Sequence, residues 1–119
     1  MPIGFVLDEN CRGPAIRTHN RRGTDTIDVV RVGDLPDLPL QTPDPLIIAW
    51  AEQAGRILLT YDESSIPGHL LDHLRSGRHS PGVFIVRANI ALPVVVEAMV
   101  IVAHASDSSE WIDRLEYIP

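Results

Sequence analysis

The stretch GFVLDEN, residues 4–10, is a short apolar run that changes abruptly to acidic and amide side chains. A continuous apolar run of this length is typical of a strand buried on both faces, as in a parallel sheet. Asp8 and Glu9 then follow the carboxyl end of that strand. In an open parallel sheet, binding sites form beyond the carboxyl ends of the strands. The stretch therefore predicts a parallel sheet with a candidate site at its edge.

Strand and helix patterns alternate along the rest of the chain. Further strands are predicted over residues 27–32, 56–60 and 82–86, with an edge strand over 115–117, and helices over 11–22, 43–54, 66–75 and 92–103. Thr42 is the predicted N-cap of the second helix, with Pro43 at its first position and Gly55 after its end. This alternation predicts an α/β fold of three layers, with a central, mostly parallel sheet flanked by helices.

Length and composition indicate one globular domain over residues 1–119. A chain of 119 residues is close to the usual size of a single domain. Its 45% hydrophobic and 22% charged residues are ordinary globular usage and argue against disorder. Cys11 is the only cysteine, which excludes an intrachain disulfide, and the first residues lack the pattern of a secretion signal. We therefore expect a cytoplasmic protein.

Charge and the missing lysine exclude or disfavour several function classes. The net charge of −6 argues against a surface that binds nucleic acid everywhere, although carboxylates around a metal ion also lower the net charge. All ten basic residues are arginine. Phosphate-binding loops and kinases depend on a lysine at the phosphates, and receiver domains of signalling proteins also use one. These classes are therefore disfavoured.

Three aspartates fall where a parallel sheet would bring them together. Asp8 follows the first predicted strand, Asp62 follows the third, and Asp44 lies in the first turn of the helix between them. Mg²⁺ and Mn²⁺ prefer such oxygen ligands, and a bound ion of this kind can orient a phosphodiester and activate a water molecule. The alternative is structural, because acidic residues near helix starts also favour the helix dipole. Spacing alone leaves both interpretations open.

Four short motifs, in this order, resemble those of the PIN-like predicted nucleases of bacterial toxin–antitoxin operons. Residues 5–10, FVLDEN, resemble the opening "LDEN" of that family, and residues 42–47, TPDPLI, resemble its helix start with an Asp and an Ile three positions on. Residues 58–62, LLTYD, resemble its "LvTrD" strand end, and residues 82–86, GVFIV, the strand after it. The ordered set covers nearly the whole chain.

The resemblance implies a PIN-type fold and metal-dependent cleavage of RNA. By position, Asp8, Asp44 and Asp62 become the catalytic residues and the ligands of Mg²⁺ or Mn²⁺. Glu9, Asn10 and Thr60 become candidates for contacts that support those ligands or bind phosphate. It also implies that the protein is the toxin of a type II toxin–antitoxin system, with a cognate antitoxin protein as its partner.

The chain departs from this family after Asp62. The family usually continues with a second aspartate and then a phenylalanine, whereas this chain has Ser64 and Ser65 at those positions. Mg²⁺ often needs only one or two carboxylates, so metal binding is compatible with the change. Ser64 therefore separates two hypotheses: an active ribonuclease, and a degenerate PIN-like module that binds a partner protein or RNA without cleaving it.

Two further surfaces are candidates for partner binding. The stretch after Asp8 is basic and could bind RNA phosphates, although a solvated helix face is an equal alternative; its arginines are Arg12, Arg17, Arg21 and Arg22. The last predicted helix is apolar on nearly all sides, so we expect it to contact a partner chain, a homodimer being one such assembly. It is too short to span a bilayer, and Glu97 interrupts it.

Overall fold

Five strands form one sheet in the computed structural model, which describes residues 3–9, 16 and 27–118. The strands are β1 Phe5–Leu7, β2 Val29–Arg31, β3 Ile57–Thr60, β4 Val83–Val86 and β5 Leu115–Ile118. Their order across the sheet is β2-β1-β3-β4-β5, and every neighbouring pair is parallel. The predicted mostly parallel sheet is confirmed, and β1 and β3, whose ends carry two of the three aspartates, are neighbours.

Three α-helices flank this sheet in the described part of the chain: α1 Asp44–Ala54, α2 Ile66–Arg75 and α3 Leu92–Ala105. A short 3₁₀-helix, Ser108–Glu110, follows α3. The bounds predicted for α2 are confirmed, and α3 extends two residues beyond its prediction. The helix predicted over residues 11–22 lies outside the described residues, except for Ile16, which is fully buried.

The strands are apolar throughout because both faces of the sheet are covered. Phe5 and Leu7 of β1 pack into one core with α3, whereas Val6 between them packs into a second core with α1 and α2. The same alternation holds in β3, where Ile57 and Leu59 lie on the α3 side. A continuous apolar run is therefore what a strand between two helical layers requires, and the predicted three-layer arrangement is confirmed.

Helix α1 begins one residue later than predicted. Pro43, with φ −61° and ψ 147°, is extended and precedes the helix, so that Asp44 is its first residue and Pro45 stands in the first turn. The Thr42 hydroxyl donates to the carbonyl of Pro39 instead of capping the helix. Pro43 and Pro45 are each compatible with the start of a helix, so the sequence alone does not decide which of them stands in the first turn. Gly55, at φ 67°, ends the helix as predicted and donates its N–H to the last turn.

Helix α3 has an exposed apolar side as well as a buried one. Val95 and Met99 are fully buried against the sheet, whereas Val94 and Ile101 are exposed. In the part of the chain that the structure describes, no helix is long and apolar enough to cross a membrane.

Candidate active site

The carboxyl ends of β1 and β3 meet at the point where the strand order reverses. From β1 the chain continues to β2 on one side of the sheet, and then to β3 on the other side. Connections that leave in opposite directions open a crevice between the two strands, which is where ligands bind in open α/β sheets. Leu7 is in register with Leu59, so Asp8 emerges beside Thr60.

One cavity of about 330 Å³ lies at this edge and contains all three predicted aspartates in its lining. Asp8 comes from the end of β1, Asp44 from the start of α1 and Asp62 from the segment after β3. The lining residues are Asp8, Glu9, Gln41, Thr42, Asp44, Ile47, Tyr61 and Asp62. The fold thus brings together acidic residues that lie as far as 54 positions apart in the sequence, from 8 to 62.

Asp8 is held by the side chain of Thr60. Asp8 is only 9% exposed, and Thr60 is fully buried. The Thr60 hydroxyl donates to Asp8 Oδ2 and accepts the backbone N–H of Asp62 at 3.1 Å. A hydroxyl can donate once and accept as well, so this single group fixes the Asp8 carboxylate relative to the backbone of the next strand end. Thr60, predicted as a supporting contact, therefore lies directly behind the candidate site.

The Asp62 carboxylate binds the turn that leads into α2. Its Oδ1 accepts from the Ser64 N–H and hydroxyl at 3.0 Å each and from the Ser65 N–H at 3.1 Å, and its Oδ2 accepts from the Ser65 hydroxyl. These bonds lower the pKa of Asp62 to about 2, the Ser65 hydroxyl contributing most, against a smaller opposing effect of burial. Asp62 is thus ionised at neutral pH and serves as the cap of the segment before α2.

Ser64 and Ser65 replace the aspartate and phenylalanine expected from the family resemblance. Both are exposed, and both direct their hydroxyl groups to Asp62. Ser64 therefore contributes a hydrogen-bond donor to an existing carboxylate where the resemblance predicts a further carboxylate. This edge therefore carries one negative charge fewer than the resemblance predicts, and both serines bind the Asp62 carboxylate.

Asp44 and Glu9 both line the same cavity. Asp44 is half-buried in the first turn of α1, where the helix dipole favours a negative charge. Glu9 Oε2 accepts the backbone N–H of Gln41 at 2.6 Å, which joins the end of β1 to the segment before α1. The other two predicted contact residues, Asn10 and Arg12, lie outside the described residues.

Comparisons with known proteins give no relative. No family model, no curated protein and no solved structure matches the chain.

The cavity has the right donor chemistry for a hard cation, but it does not form a closed ligand cage. Carboxylate oxygens are the ligands that Mg²⁺ and Mn²⁺ prefer. Within the described ranges, no group of three or more His, Cys, Asp or Glu side chains is arranged to hold a metal ion. Mg²⁺ is commonly bound by one or two carboxylates, with water and substrate phosphates as its other ligands. The residues present fit this open type of site.

Four residues of the cavity wall were not predicted as site residues: Gln41, Thr42, Ile47 and Tyr61. Gln41 lies in a proline-rich segment and adopts a left-handed conformation, with φ 66°. No local pattern marks it, because its link to the site is the long-range bond to Glu9. Tyr61 could have been inferred, since it lies between Thr60 and Asp62 at the strand end.

Proposed function

We propose that this protein is a cytoplasmic, metal-dependent ribonuclease whose active site is the cavity at the ends of β1 and β3. The observation that carries the proposal is the convergence of Asp8, Asp44 and Asp62 on that cavity. Two of these residues follow the ends of adjacent parallel strands, and the third stands at the start of the helix that lies between those strands in the sequence.

Asp8 and Asp44 would hold Mg²⁺ or Mn²⁺ through their carboxylates, with Asp62 beside them. The bound ion would supply charge neutralisation at a phosphodiester and activation of the attacking water. Thr60 keeps the Asp8 carboxylate oriented toward the cavity edge, and the serines keep Asp62 ionised. The net charge of −6 makes binding of a polyanion unfavourable without the cation. Cleavage should therefore depend strictly on the metal.

The identity of the substrate and partner rests on the family resemblance. Resemblance to PIN-like nucleases favours single-stranded RNA as substrate and a cognate antitoxin as the protein partner. The exposed apolar side of α3, with Val94 and Ile101, is the surface we assign to a protein partner, either the antitoxin or a second copy of the chain.

Cleavage of single-stranded RNA with Mn²⁺, with Mg²⁺ and with EDTA tests the proposal. Asp8→Asn and Asp44→Asn should each abolish EDTA-sensitive cleavage, because each removes the charge of a proposed ligand. Asp72→Asn is the matched control, since Asp72 is an exposed aspartate on α2 outside the cavity lining. Loss of activity in the control, or activity retained in both site variants, would contradict the assignment.

A second candidate is a degenerate module that binds RNA or protein without cleaving it. Two observations favour it: the four hydrogen bonds already made to the Asp62 carboxylate, and the lack of a three-residue metal-binding group within the described residues. Highly purified protein that binds RNA equally with Mn²⁺ or EDTA, and never cleaves it, would establish this alternative.

A further inference from the structure

Glu9 makes one of the longest-range side-chain hydrogen bonds near the site. Its Oε2 accepts the N–H of Gln41 at 2.6 Å, from a residue 32 positions away. A bond from a backbone N–H to an ionised carboxylate is stronger than one between neutral groups. It joins the carboxyl end of β1 to the segment that enters α1.

The backbone at the other end of this bond is in a costly conformation. Gln41 has φ 66°, and a residue with a side chain pays free energy to adopt the left-handed region. The segment 39–43 runs from Leu38, which is buried in the core, to Asp44 at the start of α1. Within segment 39–43, the Thr42 N–H and hydroxyl both donate to the Pro39 carbonyl. The bond to Glu9 links this turn to the segment that follows β1.

We propose that Glu9 is a positioning residue, a clasp that fixes segment 39–43 against β1 and thereby holds Gln41, Thr42 and Asp44 in the cavity wall. The carboxylate oxygen that contacts Gln41 is committed to the backbone. On this proposal Glu9 affects the binding of a cation or phosphate by fixing the shape of the cavity wall. A residue that coordinated the ion would instead affect binding through its own charge. The inference deepens the proposed function and rests on it for the consequence at the metal.

Three variants separate a clasp from a ligand. Glu9→Gln keeps an oxygen that can accept the Gln41 N–H but removes the charge, whereas Glu9→Ala removes both. Glu63→Ala is the matched control, because it deletes an exposed glutamate next to Asp62, outside the cavity lining. Two measurements apply to each: hydrogen exchange of the Gln41 amide, and calorimetric titration with Mn²⁺.

We expect the Gln41 amide of Glu9→Ala to exchange about tenfold faster or more, the loss typical of a hydrogen bond to a charged group. The Leu58 amide, bonded to the Gly82 carbonyl at 3.1 Å, should stay protected and show that the sheet is intact. Mn²⁺ affinity should fall in Glu9→Ala, recover largely in Glu9→Gln and remain unchanged in Glu63→Ala.

Two results would contradict the proposed positioning role of Glu9. One is unchanged Gln41 exchange in Glu9→Ala. The other is a loss of Mn²⁺ affinity that is equal in Glu9→Gln and Glu9→Ala, although the Gln41 amide stays protected from exchange in Glu9→Gln. That result would show that Glu9 is itself a ligand of the ion. A wild-type protein that binds no Mn²⁺ contradicts the proposed function instead, and the exchange measurement still decides the clasp.

Discussion

Asp62 illustrates how one carboxylate can belong both to a candidate site and to the local backbone. It lines the cavity with Asp8 and Asp44, yet both of its oxygens accept hydrogen bonds from Ser64 and Ser65. Sequence patterns predicted its place at the end of β3 because strand ends are marked by a change from apolar to polar residues. They did not predict the bonds to the serines, which depend on how the backbone turns after the strand.

Because the pKa of Asp62 is lowered, its ionised carboxylate should contribute to the free energy of unfolding, and acid should remove that contribution. A carboxylate whose pKa falls on folding stabilises the folded state above its unfolded pKa. For Asp62 that stabilisation should be complete above pH 3.8 and decline as the pH falls toward about 2. Ser65→Ala removes the largest contributor, so it should destabilise the protein by about 1 kcal/mol at pH 7 and flatten the acid dependence.

Urea unfolding in EDTA at pH 7 and between pH 4 and 2 measures this effect. Ser109→Ala is the control, since Ser109 is an exposed serine that bonds Asp107 through its backbone N–H, which the substitution keeps. A Ser65→Ala protein as acid-sensitive as the wild type would show that the serine hydroxyl does not set the pKa of Asp62.

The connection between α2 and β4, residues 76–82, is the element most dependent on charged side chains. The Glu52 carboxylate pairs with His73 and Arg78, at 3.0 Å each, and accepts the His79 N–H at 3.0 Å. On the other side, Asp113 Oδ2 contacts His79 Nδ1 at 2.8 Å. A carbonyl only accepts, so His73 Nε2 carries the hydrogen that it shares with the His79 carbonyl at 2.9 Å. These bonds fasten the connection to α1 and to the turn before β5.

His79 should make this connection sensitive to pH. The hydrogen bond and the charge of Asp113 raise the pKa of His79 above 6.5, with a smaller contribution from Glu52. A histidine whose pKa rises on folding stabilises the folded state fully below its unfolded pKa. That stabilisation is lost as the pH rises through the folded value. Asp113→Asn should bring the pKa of His79 back toward 6.5, and asparagine tolerates the φ of 62° at this position.

NMR titration of the His79 ring measures the change directly. Glu97→Gln serves as control because it neutralises an exposed carboxylate on α3, outside this network. His79 is 73% exposed, so the effect on global stability should be small, and the clearest secondary sign is faster exchange of the Ser80 amide, which donates to Asp113. An unchanged titration in Asp113→Asn would refute the pairing.

Element bounds were predictable where local chemistry sets them. Helix α2 and the end of α1 at Gly55 match their predictions, because proline near the start and glycine after the end act within one turn. The start of α1 was misplaced by one residue because two prolines, Pro43 and Pro45, give competing signals.

At the scale of the molecule, the class of fold was predictable and the strand order was not. Alternating patterns indicate a parallel sheet, but the choice of neighbours depends on contacts between distant segments. The order β2-β1-β3-β4-β5 is also that of flavodoxin-like domains, so the topology does not by itself separate a nuclease from other proteins with a site at this edge. The proposal of a nuclease therefore rests on the arrangement of the aspartates and on the absence of lysine.

Metal binding should stabilise the whole domain. An ion that binds only the folded state at tenfold excess over its dissociation constant adds about 1.4 kcal/mol to the free energy of unfolding. For a chain of 119 residues this raises the melting temperature by roughly 3–5 °C. The Asp8→Asn protein should lose this rise in melting temperature on addition of metal. Its asparagine keeps an oxygen that accepts from the Thr60 hydroxyl, so in EDTA its melting temperature should equal or exceed that of the wild type.

Thermal melts of both proteins in EDTA and in Mn²⁺ decide this prediction. Asp72→Asn should respond to Mn²⁺ as the wild type does. A wild-type protein indifferent to Mn²⁺ would remove the basis for a cation site, and an Asp8→Asn protein that melts well below the wild type would assign Asp8 a purely structural role.

The position of β1 between β2 and β3 has a consequence for the chain while it is being made. Phe5–Leu7 leaves the ribosome well before its partner Ile57–Thr60, which is translated about 50 residues later. At roughly 5–20 residues per second, the wait lasts about 3–10 s. Throughout that time an apolar strand that ends up between two others has at most half of its pairing, the half that β2 supplies. A nascent chain with this strand order therefore exposes the unpaired edge of an apolar strand during synthesis, and such edges make partly folded chains prone to aggregate.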